Sequence, residues 1–364
     1  MMKKFFFFAI AAAAMASCSQ DETIGVNQGQ GISFRSSTDK ATRSSETTTA
    51  NLTSFYVTAF DESGAGYFKD INFTGSQGES YTSNPAYYWP GDDGQLTFRA
   101  YAPVSTDIGG TMSLSKGDGN TLTDFTPKSN VSQQVDLIYA TATGKKSDNE
   151  TSGVQLDFAH MLSQIETKAK NTNTGYTYKV MGVKIGKVLS KGTLDFDKAV
   201  SEEATTKASA WTSGSEKSDY TVEYTTARQL NGTPQSLMTT DGDNAMLIPQ
   251  QLTEWKPETD NSNENEGAYL AVKVNIETKD GALVYPDKKN EYAWTAVAID
   301  TKWEMGNKYI YTLDFSKGAG NIDPEDPDNP GEEILGGPIV FTVSVTEWTP
   351  NDKPIELGQE ESGE

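Results

Sequence analysis

The sequence has very little cysteine and histidine, with one residue of each among 364. One Cys and one His cannot build a Cys- or His-rich zinc site, ligate a haem as a pair or form an intramolecular disulfide. We therefore expect no cofactor and no metal, although a cation site made only of oxygen ligands stays open. The formal net charge of −21 argues against nucleic acid as a partner, because binding phosphate requires Lys and Arg.

The N-terminal apolar run, residues 5–17, is shorter than the roughly 20 residues that span a bilayer. It follows Lys3 and Lys4, and a basic start before a short apolar segment is typical of a secretory signal peptide. Small residues precede the only cysteine, Cys18, as they do in a bacterial lipobox. The sequence predicts a signal peptide over 1–17 and lipidation of Cys18. The alternative is ordinary cleavage beside an incidental cysteine.

The remaining sequence is rich in Thr, Ser, Asn, Gly and Tyr, which suit strands and turns. Apolar and polar residues alternate with a period of two, as in half-buried strands, over 55–59, 96–102, 154–158, 270–276 and 309–315. No long stretch keeps helical periodicity. Residues 159–170 fit a short helix or a strand, and we favour a strand. The fold class is therefore predicted to be all-β, with strands arranged in sandwiches.

Composition also divides the chain into units. A polar stretch at 143–150 lies between two strand-like runs, and an acidic segment with three prolines follows residue 322. Such a segment is typical of a stiff, extended linker. The predicted units are a removable N-terminal segment with a short strand over 18–50, one sandwich over 51–146, and a second over 147–364 that includes a linker over 322–337 and a terminal strand over 339–348.

Particular segments, in their order and spacing, resemble the fimbrillin family, the lipoprotein pilins and fimbrillin-like proteins of the Bacteroidales. The resemblance extends over nearly the whole chain. The segments that carry it are Cys18 with its lipobox, the alternating Ile32-Ser33-Phe34, and residues 51–59, 87–90, 96–103, 156–165, 245–251 and 343–348.

The resemblance implies two tandem transthyretin-like β-sandwich domains and assembly by strand exchange. An Arg-directed protease would remove the N-terminal strand, and a C-terminal strand of the next subunit would fill the groove left behind. The implied partners are other fimbrial subunits, the outer membrane through the lipid anchor, and ligands on host or bacterial surfaces. The residues predicted to take part in strand exchange are Ile32, Phe34, Ile339, Phe341, Val343 and Val345.

Only four arginines are present, and two of them, Arg35 and Arg43, lie in the polar N-terminal stretch. A protease requires an extended and accessible segment, so cleavage is expected at one of these two. Arg43 is favoured because cutting there frees the whole of residues 32–34. The alternative is a subunit that is never processed.

The remaining candidates for a chemical role have simpler explanations. His160 lies between apolar residues, and no nucleophile is placed beside it, so we interpret it as structural and expect no catalytic site. The aromatic run 87–89 could stack on a sugar, although packing is favoured. The sequence thus predicts a non-enzymatic structural subunit of a fimbria, or a fimbrillin-like adhesin, at the cell surface. The alternative is a glycan-binding surface lipoprotein that does not polymerise.

Overall fold

The computed structural model describes residues 29–38, 52–76, 78–238, 244–257, 267–347 and 355–357. Within them regular structure is almost entirely strand, so the all-β prediction is confirmed. The predicted signal peptide, Cys18 and Arg43 lie outside the described residues. In the part that is described, no helix has the length and apolarity that a bilayer crossing requires.

Nine strands precede residue 162. They are β1 (Phe34–Thr38), β2 (Ser54–Phe60), β3 (Gly66–Thr74), β4 (Thr82–Ser83), β5 (Leu96–Ala102), β6 (Thr111–Ser113), β7 (Thr121–Phe125), β8 (Ile138–Gly144) and β9 (Val154–His160). Two short helices, α1 (Ser105–Ile108) and α2 (Lys146–Asn149), and a 3-10 turn (Val131–Gln133) connect them.

The other strands follow residue 162. They are β10 (Ser163–Lys170), β11 (Tyr176–Leu189), β12 (Gly192–Asp195), β13 (Trp211–Ser213), β14 (Lys217–Gln229), β15 (Gln235–Ser236), β16 (Ala245–Leu247), β17 (Tyr269–Thr278), β18 (Leu283–Tyr285), β19 (Ala293–Ala298), β20 (Asn307–Asp314), β21 (Asn321–Ile322), β22 (Val340–Glu347) and β23 (Ile355–Leu357). Two further short helices are α3 (Phe196–Ala199) and α4 (Ala204–Lys207).

Seven strands form what we call the closed N-terminal sheet, in the order β1-β9-β8-β5-β2-β3-β4. β1 runs parallel to β9, and the other neighbours are antiparallel. At the opposite edge of β1, Phe34 is bridged to Tyr81, next to β4, so that the two ends of the sheet meet. The sheet encloses a core to which the alternating residues of β2 and β5 contribute, among them Phe55, Val57 and Phe98.

The polar stretch at 143–150 is not a boundary between units. It forms the end of β8 and the helix α2, and the chain then continues into β9, which pairs with β8 and β1 in the same sheet. Leu156 and Phe158 are buried in the core of that sheet. The predicted boundary between 146 and 147 therefore moves to the turn before Ser163, because polar turn residues mark a connection within a sheet as readily as a linker.

The C-terminal sandwich consists of two sheets that share one core. One has the order β14-β11-β17-β19-β21, with β18 beside β17, and the other has the order β15-β10-β20-β22-β23, with β16 beside β10. Side chains of both sheets meet between them, such as Val183 and Leu270 from the first and Ile165 and Tyr311 from the second. Residues 159–170 contribute to β9 and β10, so the strand interpretation of this segment is confirmed.

A four-stranded bridging sheet joins the two halves of the chain. Its order is β13-β12-β7-β6, with β6 and β7 from the first half and β12 and β13 from the second. Leu122 of β7 lies opposite Leu194 of β12, and both are buried with Met161 and Phe196 in a core of their own. The described halves are therefore connected by shared backbone pairing and shared apolar burial as well as by the chain.

Candidate functional site

Strand β1 fills a slot in the closed N-terminal sheet. Its residues pair in parallel with β9 from Phe34 opposite Val154 onward. On the other side, the Phe34 N–H donates to the Tyr81 carbonyl at 3.0 Å, and the Tyr81 N–H donates to the Phe34 carbonyl at 2.8 Å. Just before the strand, the Ile32 N–H donates to the Tyr87 carbonyl at 2.7 Å. The slot thus has backbone partners along both edges.

The side chains of β1 and of the residues just before it alternate between core and solvent. Ile32 and Phe34 are 1% and 0% exposed and belong to the core of the closed N-terminal sheet, whereas Arg35 is exposed. Their burial is consistent with the alternating pattern of residues 32–34. Removal of the strand would uncover this apolar core and leave the facing backbone of β9 and Tyr81 unpaired, which makes a template for another strand.

The other predicted participant, the terminal strand, lies in the C-terminal sandwich of its own chain. β22 pairs antiparallel with β20 over eight positions, from Asn307 opposite Glu347 to Asp314 opposite Val340. Ile339 is 3% exposed in the sandwich core. Phe341, Val343 and Val345 are half-buried and pack against that core. The sequence left open whether this strand is free or folds into its own domain, and in the described chain it folds back.

The acidic segment before the terminal strand is a folded loop, so the expected extended linker over 322–337 is wrong. The Ile322 N–H donates to the Glu332 carbonyl at 2.7 Å, and the Gly331 N–H donates back to the Ile322 carbonyl at 3.0 Å. Carboxylates shape its turns, since Asp323 and Asp326 accept hydrogen bonds from the backbone of residues two positions later. The prolines therefore belong to a compact loop of hydrogen-bonded turns and not to an extended chain.

The three described arginines differ in accessibility. The guanidinium of Arg99 is buried and donates to the Ser115 and Lys116 carbonyls at 3.0 and 2.6 Å. Arg228 lies 3.7 Å from the centre of the Tyr224 ring. Arg35 has an exposed side chain, but its backbone is part of β1 and pairs with β9. Among the described arginines, then, only Arg35 combines exposure with a position near the N-terminal slot.

His160 is buried beside an acid, in agreement with a structural role. Its Nδ1 lies 3.0 Å from the Asp136 carboxylate, and both side chains are 1% exposed. The residue also lines a cleft of about 770 Å³, together with Trp211, Trp303 and Met305. In the described ranges, no three His, Cys, Asp or Glu side chains are grouped as metal ligands.

The aromatic run 87–89 is mostly packed against the core. Trp89 is 7% exposed and contacts the Phe98 ring edge to face, and Tyr87 packs against Phe68. Tyr88 is 43% exposed, and its carbonyl accepts a hydrogen bond from the Tyr67 hydroxyl at 2.8 Å. The packing interpretation holds for Trp89 and Tyr87, while Tyr88 faces solvent.

Comparison with known proteins identifies the family of this chain. The family model described as fimbrillin-like matches residues 41–348, most of the chain. The chain belongs to the fimbrillin-like family. The matched residues include the terminal strand but begin after Cys18 and β1, so the family match itself does not extend to the N-terminal slot strand.

Two relatives resemble this fimbrillin-like chain over almost their full length. The fimbrium subunit Fim1C of Phocaeicola vulgatus is 25% identical over 363 residues, covering 90% of this chain and 96% of the relative. The crystal structure of a fimbrial protein from Bacteroides vulgatus superposes with a TM-score of 0.54 at 17% identity, covering 88% of this chain and all of that one. The second likeness concerns the fold.

Proposed function

We propose that this fimbrillin-like chain is a non-enzymatic structural subunit of a cell-surface fimbria that assembles by strand exchange. The observation that carries the proposal is the placement of β1, because its Phe34 and the preceding Ile32 are fully buried while both edges of the segment are hydrogen-bonded. Family membership supports it, as does the similarity to a relative described as a fimbrium subunit. The incoming strand is β22 of another copy or of a related subunit.

Strand exchange would move the apolar side chains of the terminal strand from the core of their own sandwich into the slot that β1 leaves. Burying four side chains of the size of Ile339, Phe341, Val343 and Val345 contributes on the order of 6–12 kcal/mol at most. In the described chain these residues already contact their own core, so leaving it costs part of that free energy. The driving force then comes from the emptied slot, whose core and backbone are otherwise left in water. A head-to-tail contact of this kind continues into a filament rather than closing.

Removal of β1 is proposed to follow cleavage at Arg43, with Arg35 as the second candidate. Cleavage after Arg35 would divide β1 within its hydrogen-bonded pairing, whereas cleavage after Arg43 leaves Phe34–Thr38 whole on the released fragment. A protease reaches Arg35 less readily because its backbone is paired within β1, which favours Arg43. Lipidation of Cys18 would hold the precursor at the outer membrane until then, since a multiply acylated residue is a durable anchor.

Surface-extracted full-length protein, treated with an Arg-specific protease, tests the maturation step. We expect a new N-terminus directly after Arg43 and a ladder of polymers on gels of unboiled samples. Arg43→Lys should abolish both, and the matched variant Arg35→Lys should retain both. Polymers whose N-terminus is still Cys18 would contradict the proposal, and a single unprocessed band would favour a surface lipoprotein that does not polymerise.

A peptide tests the exchange itself. A synthetic peptide of residues 339–348 should bind processed protein and suppress the ladder, while unprocessed protein, whose slot is filled by β1, should not bind it. The control peptide has Phe341 and Val343 replaced by Ser, so that length and backbone are kept while apolar burial is lost. Equal binding of both peptides, or equal binding to both protein forms, would exclude the slot as the acceptor.

A further inference from the structure

A lysine is buried on the outer face of the C-terminal sandwich. Lys184 of β11 lies opposite Ala271 of β17, and the acidic loop that precedes the terminal strand covers this face. The side chain is 8% exposed. Its Nζ lies 5.3 Å from the centre of the Tyr269 ring and 5.2 Å from that of Trp294. The small alanine and the aromatic rings thus enclose the amine away from bulk water.

The loop brings one carboxylate into close contact with this amine. Asp323 Oδ2 lies 2.6 Å from Lys184 Nζ, and the Asp323 side chain is 4% exposed. The Asp323 N–H donates to the Trp294 carbonyl at 3.2 Å, and its Oδ1 accepts a hydrogen bond from the Glu325 N–H at 2.8 Å. The carboxyl group is therefore fixed with one oxygen directed to the amine.

A second carboxylate contacts the same amine. Glu325 Oε2 accepts a hydrogen bond from Lys184 Nζ at 3.2 Å, and Oε1 lies 2.7 Å from Lys187 Nζ. Burial opposes ionisation, but the Lys187 hydrogen bond and the Lys184 charge together lower the pKa of Glu325 to about 2. Burial raises the pKa of the neighbouring Asp219, and the charge of Glu325 adds to this. Asp219 beside it therefore keeps its proton to a higher pH than a free aspartate does.

We propose that Lys184 and Asp323 condense to form an intramolecular isopeptide bond. Holding two charged groups out of water is costly, and the amide removes both charges at once. Fixing the reacting groups in contact replaces a bimolecular encounter by an intramolecular step, which is worth several orders of magnitude in effective concentration. No oxidant, cofactor or second substrate is required, because the only other product is water.

The step balances within the cluster. One ammonium proton of Lys184 passes to the facing Asp323 oxygen, and the freed amine attacks Asp323 Cγ, forming the C–N bond. Glu325 accepts the second proton from nitrogen and returns it to the departing oxygen as the C–O bond breaks. An ammonium and a carboxylate thus become one amide and one water. Glu325 is a catalytic residue in this sense, because it touches the reacting nitrogen.

The bond would join the middle of the sheet to the chain just before the terminal strand. Asp323 follows β21, whereas β22 begins at Val340. A subunit whose terminal strand is drawn away would keep the preceding loop fastened to β11. The inference goes beyond the proposed assembly, since the bond would form in a single chain whether or not the chain is processed or polymerised.

Peptide mapping of the purified full-length protein by mass spectrometry tests the proposal directly. Trypsin does not cut after a lysine whose side chain is acylated, so we expect residues 180–187 as one peptide, joined to the peptide that begins at Gly318. The joined mass should be lower than the sum of the two by one water. Separate peptides and ordinary cleavage after Lys184 in folded protein would overturn the proposal and leave a buried ion pair.

Variants distinguish the chemistry from the fold. Lys184→Arg keeps the charge and should give unlinked peptides, and Asp323→Asn should still link but lose ammonia instead of water. Glu325→Gln should reduce the linked fraction several-fold, with a rate that rises on raising the pH. The matched control is Glu223→Gln, because Glu223 contacts Lys273 at 2.9 Å with a 54% exposed side chain. A linked fraction unchanged by Glu325→Gln would overturn its catalytic role.

Discussion

The rings of Phe34 and Phe73 meet edge to face, with centroids 4.7 Å apart and planes at 89°. Phe34 also contacts Phe98 edge to face at 5.1 Å. One residue of the short first strand therefore occupies the centre of the aromatic core, and the stability of the closed N-terminal sheet depends on a segment at the beginning of the described chain.

Phe34→Ala should lower the free energy of unfolding by about 3–5 kcal/mol, because it removes a fully buried ring and leaves a large cavity among the neighbouring aromatic rings. The midpoint of urea unfolding measures this. Arg35→Ala is the matched control on the solvent side of the same strand and should change stability by less than about 0.5 kcal/mol. Equal effects of the two changes would mean that β1 is not seated in the core in solution.

Gly320→Ala should destabilise the C-terminal sandwich by about 2–5 kcal/mol, from a left-handed backbone and from crowding. Gly320 has φ +75°, and an added Cβ would lie 2.7 Å from the Ala296 carbonyl and 2.8 Å from Ile339. Gly281, at φ +81° with no atom within 4 Å, is the control and carries the conformational cost alone. Thermal unfolding compares them, and a smaller loss at Gly320 than at Gly281 would contradict the packing described.

Asp136→Ala should cost about 1–3 kcal/mol, because the buried imidazole of His160 loses a hydrogen-bond partner that water cannot replace. Chemical denaturation gives the value. Asp148→Ala is the control, since Asp148 pairs with Lys145 at 3.7 Å while 62% exposed and should contribute less than about 1 kcal/mol. A neutral result for Asp136→Ala would show that the pair is hydrated in solution.

Asp314→Asn should make stability less dependent on pH on the acid side. Burial alone would raise the pKa of Asp314, but hydrogen bonds from Ser316 and the contact with Lys170 lower it below 3.8. Its contribution is therefore complete above the unfolded value and is lost as the pH falls through the lower folded value. The variant should be less stable than the wild type at about pH 7, and the difference should shrink as the pH falls below the ordinary aspartate pKa of 3.8. The control is Asp280→Asn, on an exposed turn, which should not change the pH dependence of stability. A stability difference for Asp314→Asn that does not vary with pH would contradict the stabilising contacts assigned to the Asp314 carboxylate.

Local alternation predicted many of the strands, but not what covers them. In β5 the sequence places Phe98 on one face and Arg99 and Tyr101 on the other, and the structure keeps this division. Both faces are nevertheless buried, because the bridging sheet and the loop after β6 cover the second one. Alternation reports which residues share a face, and only the tertiary arrangement decides whether a polar face is exposed.

The two longest strands, and the contact between Lys184 and Asp323, also could not be predicted from local sequence patterns. β11 and β14 mix polar residues with apolar ones, and bulges interrupt the alternation between their two faces. The sequence of these two strands therefore shows no clear period-two pattern, and they were not predicted. Lys184 looks like an ordinary solvent-facing residue in its strand. Its burial depends on Asp323, 139 positions later, and the local sequence carries no signal for a contact at that separation.

The bridging sheet sets the cooperativity of the molecule. β7 pairs with β6 of its own half, but its other edge is filled only when β12 has been made, and the core around Leu122 and Leu194 is complete only then. During synthesis the core under the bridging sheet therefore stays incomplete until the second half of the chain has been made. In calorimetry the two halves should melt in a single transition, since neither can unfold without breaking the sheet that they share.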